Sequence, residues 1–257
     1  ISLENRRLFR EAIEKQKLEE ELELARDIQK NLLPQTIPVY KNFEIAALNI
    51  TSQQVGGDYY DIIKLNNENY CLAIADVSGK GVPASLLMAN LQAFLQVICR
   101  QNVPLADATS LLNNLITENT ADGRFITFFW GMLNDEKRTL NYINAGHNPP
   151  LLIRNGSIIK LEVGGMILGV MKTVMPYDSE LIQLQKDDVL IMFTDGISEA
   201  MNKKGEEFSD SFLESICIKS AGYTANEILN EIKNEVQKFA KGTTQSDDIT
   251  LMVLKAK

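Results

Sequence analysis

The residues best placed to do chemistry in this chain are aspartates. They fall in four short segments: Gly56-Gly57-Asp58-Tyr59-Tyr60-Asp61, Ala75-Asp76-Val77-Ser78-Gly79, Thr194-Asp195-Gly196 and Ser246-Asp247-Asp248-Ile249-Thr250. Each segment lies at or beside the end of an apolar run that reads as a β-strand, and strand ends hold side chains in fixed places. Carboxylates gathered in one spot repel one another unless cations lie among them. Hard divalent ions such as Mg²⁺ and Mn²⁺ prefer oxygen ligands. The segments therefore point to a carboxylate metal site assembled from distant parts of the chain, and through it to phosphoryl chemistry.

Asp76 follows Cys71-Leu72-Ala73-Ile74-Ala75, apolar enough for a central strand, and Gly79 and Gly81 beyond it let the backbone approach a ligand closely. Asp195 repeats the arrangement after Val189 to Phe193, although Asp-Gly by itself is the signature of a turn. Asp247 and Asp248 are adjacent acids opening an apolar strand, where mutual repulsion is unhelpful without a cation nearby. His147 is the only histidine, within Asn144-Ala145-Gly146-His147-Asn148-Pro149-Pro150. It reads as a turn residue bonded to the backbone in preference to a general acid or ligand. Trp130 alternates within a strand and reads as core, and strand packing accounts for Tyr59 and Tyr60 as well as a site role does.

Several elements must position these groups. Residues 1–33 hold no Gly or Pro and are rich in Glu, Lys, Arg and Leu, which predicts a helix. Leu18, Leu22, Ala25, Ile28 and Leu32 would form one apolar seam, interrupted by Gln29, suited to pairing with a second copy or docking on the domain. Pro34 and Pro38 end the helix. Strands are predicted at Phe43 to Ile50, Tyr59 to Leu65 and Tyr70 to Val77, then near 125–133, 138–144, 150–154, 157–162, 179–185 and 187–193, with a last one from Ile249 to Leu254. Helices are predicted from Pro83 through Ile98, over Pro104 to Asn119, and near 209–219 and 224–240. Hairpin-linked strands interrupted by helix pairs indicate an α+β fold rather than alternating βαβ units.

Composition narrows the function classes. The chain has 257 residues, is 45% hydrophobic and carries a formal charge of −8. It has no dense basic cluster after residue 40, a poor match to nucleic acid or an anionic membrane surface. Cys71, Cys99 and Cys217 stand singly in apolar stretches and read as reduced core residues, with no zinc spacing. No apolar run reaches the roughly 20 residues that span a bilayer, and no signal peptide is evident. The expectation is a cytoplasmic protein. The chain begins with Ile inside a helical pattern, which reads as a fragment of a longer protein.

In order and spacing, GGDYYD, ADVSGKG, AGHNPP, FTDGISEA and SDDITLMVL resemble the metal-dependent protein phosphatases of the protein phosphatase 2C type. Within them the chain is similar to the bacterial branch of sporulation stage II and general-stress phosphatases, which dephosphorylate anti-anti-sigma factors. The resemblance covers about residues 25–257, from the lead-in Ala25-Arg26-Asp27-Ile28-Gln29. It implies a β-sandwich of two antiparallel sheets flanked by helices, with a binuclear Mn²⁺ or Mg²⁺ centre at one edge. By that resemblance Asp76 bridges both metals and the Val77 carbonyl is a further ligand. Asp58 contacts one metal directly or through water, and Asp195 and Asp247 complete the other. Gly57 and Asp248 would stand just behind the ligands. The water attacks phosphorus directly, so no cysteine nucleophile is needed. The eukaryotic enzymes carry a phosphate-gripping Arg shortly before the first acidic motif, whereas residues 40–57 here contain none. That departure fits an enzyme acting on one docked protein.

The resulting expectation is a helical linker and dimerisation segment, 1–39, followed by a phosphatase domain, 40–257. The domain would remove phosphate from serine or threonine on a phosphorylated STAS-type anti-anti-sigma partner, as the output of an upstream sensor or receiver domain. Residues 1–33 are expected to form a homodimer and to set the domain's activity. Gly-Gly-Asp-Tyr-Tyr also resembles the GGDEF signature of diguanylate cyclases, a reading that leaves Asp195 and Asp247 without a task. The remaining alternative is a catalytically weak or silent scaffold that signals by binding; all four expected metal aspartates being present speaks for the enzyme.

Overall fold

A computed structural model describes residues 3–120 and 123–257. Among the described residues, eleven strands form two stacked sheets, with a helix pair on each outer face. The first sheet runs β1 (Phe43–Ile50), β11 (Ile249–Ala256), β10 (Val189–Phe193), β6 (Leu151–Arg154) and β7 (Ser157–Lys160). The second runs β2 (Tyr59–Lys64), β3 (Asn69–Val77), β4 (Ile126–Asn134), β5 (Thr139–Ala145) and β8 (Gly164–Gly165), with β9 (Glu180–Gln183) also on β5. Neighbours pair antiparallel except β5 and β8. That short parallel strand was not anticipated, because two glycines carry no strand propensity. They are required there, since a Cβ on Gly164 would sit 1.8 Å from the Asn144 carbonyl oxygen.

Three packed layers of apolar side chains hold the sandwich together. Leu72, Ile74, Phe129, Tyr142, Met192 and Met252 fill the space between the sheets. Helices α2 (Val82–Ile98) and α3 (Leu105–Asn119) cover the second sheet, burying Met88, Leu91, Leu95 and Leu112 against Tyr59 and Trp130. Helices α4 (Asp210–Ser220) and α5 (Ala225–Phe239) cover the first sheet through Leu213, Ile228 and Ile232. The start of α5 is fixed by a capping box between Thr224 and Glu227. Trp130 is wholly buried and its indole N–H donates to Thr109 of α3 at 2.9 Å, so it is core as expected. The three cysteines are buried and free.

Helix α1 (Leu3–Leu32) extends from the domain and touches it only through its last turns. The predicted seam divides: Leu32 packs on the core under α2, while Leu18 and Ile28 are more than half exposed. Gln29, read as a break in the seam, is the buried residue of the helix. No described helix is long and apolar enough to cross a membrane.

Candidate metal centre

Strand polarity brings the aspartates to one end of the sandwich. In the second sheet β2 and β3 are antiparallel, so Asp58 just before β2 and Asp76 near the end of β3 lie at the same edge. In the first sheet Asp195 follows β10 while Asp247 and Asp248 precede the antiparallel β11, which gives the same result. A short chain of hydroxyls links the two edges. Thr194 and Thr250 both donate through Oγ1 to Asp58 Oδ2, at 2.7 and 2.6 Å, and the Thr250 N–H donates to Thr194 Oγ1 at 2.9 Å. Residue-type reasoning passed over these threonines, although both lie inside the quoted motifs.

The glycines of the first motif have a specific cause. Asp248 Oδ2 accepts the Gly57 N–H at 2.8 Å, and its Oδ1 accepts the Ser52 N–H and hydroxyl at 2.7 and 2.9 Å. A Cβ on Gly56 would lie 2.4 Å from that same Asp248 Oδ2, so only glycine admits the carboxylate. A Cβ on Gly57 would meet the Val77 carbonyl oxygen at 3.0 Å. Gly196 is glycine for a similar reason, since a Cβ would fall 1.9 Å from the Asp248 carbonyl oxygen. Asp248 thus spends both carboxylate oxygens on backbone and side-chain groups of the protein. Asp61, the second acid of GGDYYD, is also structural: it accepts from the Tyr59 hydroxyl at 2.7 Å and from Gln96 of α2 at 2.8 Å.

The carboxylates feel one another strongly. Burial, followed by the charges of Asp195, Asp247 and Asp248, pushes the Asp76 carboxyl up to about 7. Burial and then Asp76 raise Asp58 well above the usual carboxylate range, and burial and then Asp247 raise Asp195. Lys80, from the Gly79-Lys80-Gly81 turn, opposes this: its Nζ lies 2.8 Å from Asp247 Oδ2 and donates to the Ser246 carbonyl at 2.5 Å. Among the described residues no three acidic, imidazole or thiol groups converge tightly enough to enclose an ion as they stand. The donor chemistry nonetheless fits hard divalent cations. Every donor is oxygen, and the excess negative charge on two sheets is what such ions relieve.

Two neighbours were missed from sequence. Arg124 is half-buried, and its Nη1 lies 3.2 Å from where a Cβ on Gly79 would be. Its loop is clasped to the Asp76 loop by Ser78 N–H to Phe125 O at 2.9 Å and Phe125 N–H to Ser78 Oγ at 2.8 Å. Gln29 of α1 reaches the site from the other side: its Nε2 donates to Gly56 O at 2.7 Å and its Oε1 accepts the Gly56 N–H at 2.9 Å. No spacing rule in the sequence pairs either residue with the aspartates. His147 is buried, and burial holds its imidazole down to about 4.

The pattern of the Stage II sporulation protein E (SpoIIE) family matches residues 66–257. The phosphoserine phosphatase RsbU of Bacillus subtilis is 29% identical over 247 residues, covering 94% of this chain and 72% of that protein. The SiaA-PP2C domain of Pseudomonas aeruginosa superposes with a TM-score of 0.81 at 18% identity, over 95% of this chain and 99% of that one. RsbX, solved in complex with magnesium, gives a TM-score of 0.65 at 17% identity, over 86% of this chain and 99% of that one.

Proposed function

The chain belongs to the Stage II sporulation protein E family, and from that premise we propose how its residues carry out the reaction. Fold and relatives make it a protein serine/threonine phosphatase of the PP2C type, a hydrolase of the sigma-regulation branch. The proposal adds the site, the metals, the substrate and the division of the chain.

The observation that carries the site is the convergence of Asp58, Asp76, Asp195 and Asp247 at one end of the sandwich, where burial and aspartates of the opposite sheet push the Asp76 carboxyl up to about 7. In this reading Asp58, Asp76, the Val77 carbonyl, Asp195 and Asp247 hold two Mn²⁺ or Mg²⁺ ions. Such ions supply an activated water and a clamp on the phosphate. The magnesium in RsbX, which shares the fold, supports that choice. The protein's own contribution is positioning. Asp248 keeps the Gly56-Gly57 turn against Val77, and the Thr194 and Thr250 hydroxyls orient Asp58. Lys80 holds Asp247 within the cluster while offsetting its charge. Arg124, beside the Asp76 loop and free of any ion pair among the described residues, offers a guanidinium suited to a phosphoryl oxygen. It would serve in place of the Arg absent from residues 40–57.

The substrate is a phosphoserine or phosphothreonine on a STAS-type anti-anti-sigma protein, in the cytoplasm. Similarity to RsbU, a phosphoserine phosphatase, supports the phosphoserine. Residues 1–39 form a linker that pairs with its copy and reports an upstream signal, and 40–257 form the catalytic domain. The exposed Leu8, Phe9, Leu18 and Ile28 of α1 support the pairing. The deciding experiment is hydrolysis of phosphorylated anti-anti-sigma proteins with and without Mn²⁺, for the wild type and Asp76→Asn. Metal-dependent turnover that Asp76→Asn removes is expected. Turnover indifferent to both would overturn the metal site, and none at all would leave the silent scaffold standing.

A further inference from the structure

The Ala145-Gly146-His147-Asn148 turn takes no part in the chemistry above, yet it joins β5 to β6 across the two sheets and bridges to Phe128 of β4. Its backbone is rigidly held. Asn144 Oδ1 accepts the His147 N–H at 2.7 Å, and Asn144 Nδ2 donates to the His147 and Leu161 carbonyls, each at 3.1 Å. Gly146 has φ of 69°, a conformation that disfavours any side chain there. The ring of His147 is thereby aimed in one direction.

Each ring nitrogen faces a different sheet. Nδ1 lies 2.8 Å from Thr127 Oγ1, and Thr127 is the direct cross-strand partner of Asp76. Nε2 is buried without a hydrogen-bond partner among the described residues, and the Phe193 backbone beside the ring favours a ring N–H. Phe193 ends β10, and the next two residues are Thr194, which donates to Asp58, and Asp195. Buried polar atoms without partners are rare in folded proteins, and each has a reason.

We propose that His147 is a positioning residue that ties the Asp76 strand to the Asp195 strand, its Nε2–H closing on the Phe193 carbonyl when divalent metal draws the two sheet ends together. This rests on the metal site proposed above. It requires the neutral tautomer with the proton on Nε2, so that Nδ1 accepts from the Thr127 hydroxyl. Groups that orient a metal's ligands from behind typically alter affinity about 10- to 100-fold when removed.

The chain has one histidine, so ring-nitrogen NMR reports on His147 without assignment by mutation. Diamagnetic Mg²⁺ is titrated into the intact, ¹⁵N-labelled chain, and the ring is followed beside the amides of Asp76 and Asp195. The expected result is an Nε2-protonated ring whose Nε2–H signal moves downfield and exchanges more slowly as Mg²⁺ saturates. Mg²⁺ that perturbs those amides and leaves the ring unchanged, or a ring protonated on Nδ1, overturns the inference and spares the metal site. Mg²⁺ that perturbs neither overturns both. In parallel, calorimetry should give His147→Ala a Mg²⁺ affinity about tenfold or more below wild type. His147→Gln, which keeps a donor near Phe193, should recover most of it. Equal affinities in folded wild type and His147→Ala would reduce His147 to a packing residue.

Discussion

Two adjacent aspartates at the mouth of β11 stand in different surroundings, and in the proposed centre one is a ligand and the other its support. Asp248 accepts three hydrogen bonds from Ser52 and Gly57, whereas Asp247 faces Lys80 and the cluster. Asp248→Ala leaves buried donors unpaired, at about 1–3 kcal/mol for each, so it should lower thermal stability with or without metal. Asp247→Ala should leave melting nearly unchanged and weaken Mn²⁺ binding and turnover. The reverse pattern in calorimetry and kinetics would mean that the two roles are exchanged. Asp76 adds a pH dependence. Its folded-state pKa is raised to about 7 by burial and neighbouring carboxylates, so the folded protein binds this proton more tightly than the unfolded chain. Metal-free stability should therefore be greatest near pH 4 and fall as pH rises towards 7, by an amount on the order of a few kcal/mol. Thermal melts in chelator across that range check it, and Asp76→Asn should flatten the slope. Arg124→Ala should raise KM for the phosphoprotein about tenfold or more, with Arg124→Lys intermediate because a lysine cannot bind bidentately.

At the scale of elements, helix α1 touches the site through one side chain. Gln29 forms a reciprocal pair of bonds with Gly56, whose neighbour Gly57 is held by Asp248. Gln29 thus ties α1 to the turn that carries Asp58. Gln29→Ala removes both bonds and leaves the Gly56 amide and carbonyl without them, a loss of about 1–3 kcal/mol. The expected outcome is a clear change in Mn²⁺ affinity or turnover with the domain still folded. Mn²⁺ titration and melting of the variant test it, and unchanged metal dependence would uncouple the helix from the site. Helix α2 is a second lever. It begins at Val82, shortly after Asp76, and Gln96 near its far end is anchored to buried Asp61.

For the whole molecule, the sandwich is covered on both outer faces, and α1 is left with apolar residues in water. Leu18 and Ile28 are 56% and 57% exposed on a helix whose described residues before Leu22 are exposed. Pairing of two such helices would bury them. Polar substitution of Leu18 and Ile28 should weaken self-association in sedimentation equilibrium by about tenfold or more, at about 25 cal/mol per Å² of apolar surface no longer buried. The melting of the domain should stay unchanged. A wild-type chain that sediments as a monomer at all concentrations would remove the dimer.

Most of the architecture was written in local patterns. Strand β1 and helix α3 are periodic and bounded by strong signals, and they fall where alternation and proline placement put them. The four acidic motifs were legible because aspartate at a strand end is costly without a purpose. Other features depended on how distant segments meet. Nothing local marks Gln29 as the buried residue of a charged helix, because its partner is a backbone group 27 residues away. The same holds for Arg124 beside Gly79 and for β8, whose pairing rests on close backbone approach rather than side-chain propensity. The task of His147 was equally hidden, since its two nitrogens face strands that come together only when the sheets stack. Sequence by itself determined which residues carry charge and which strands carry them. Tertiary structure decided which protein groups each carboxylate meets, because those contacts are made across the sandwich.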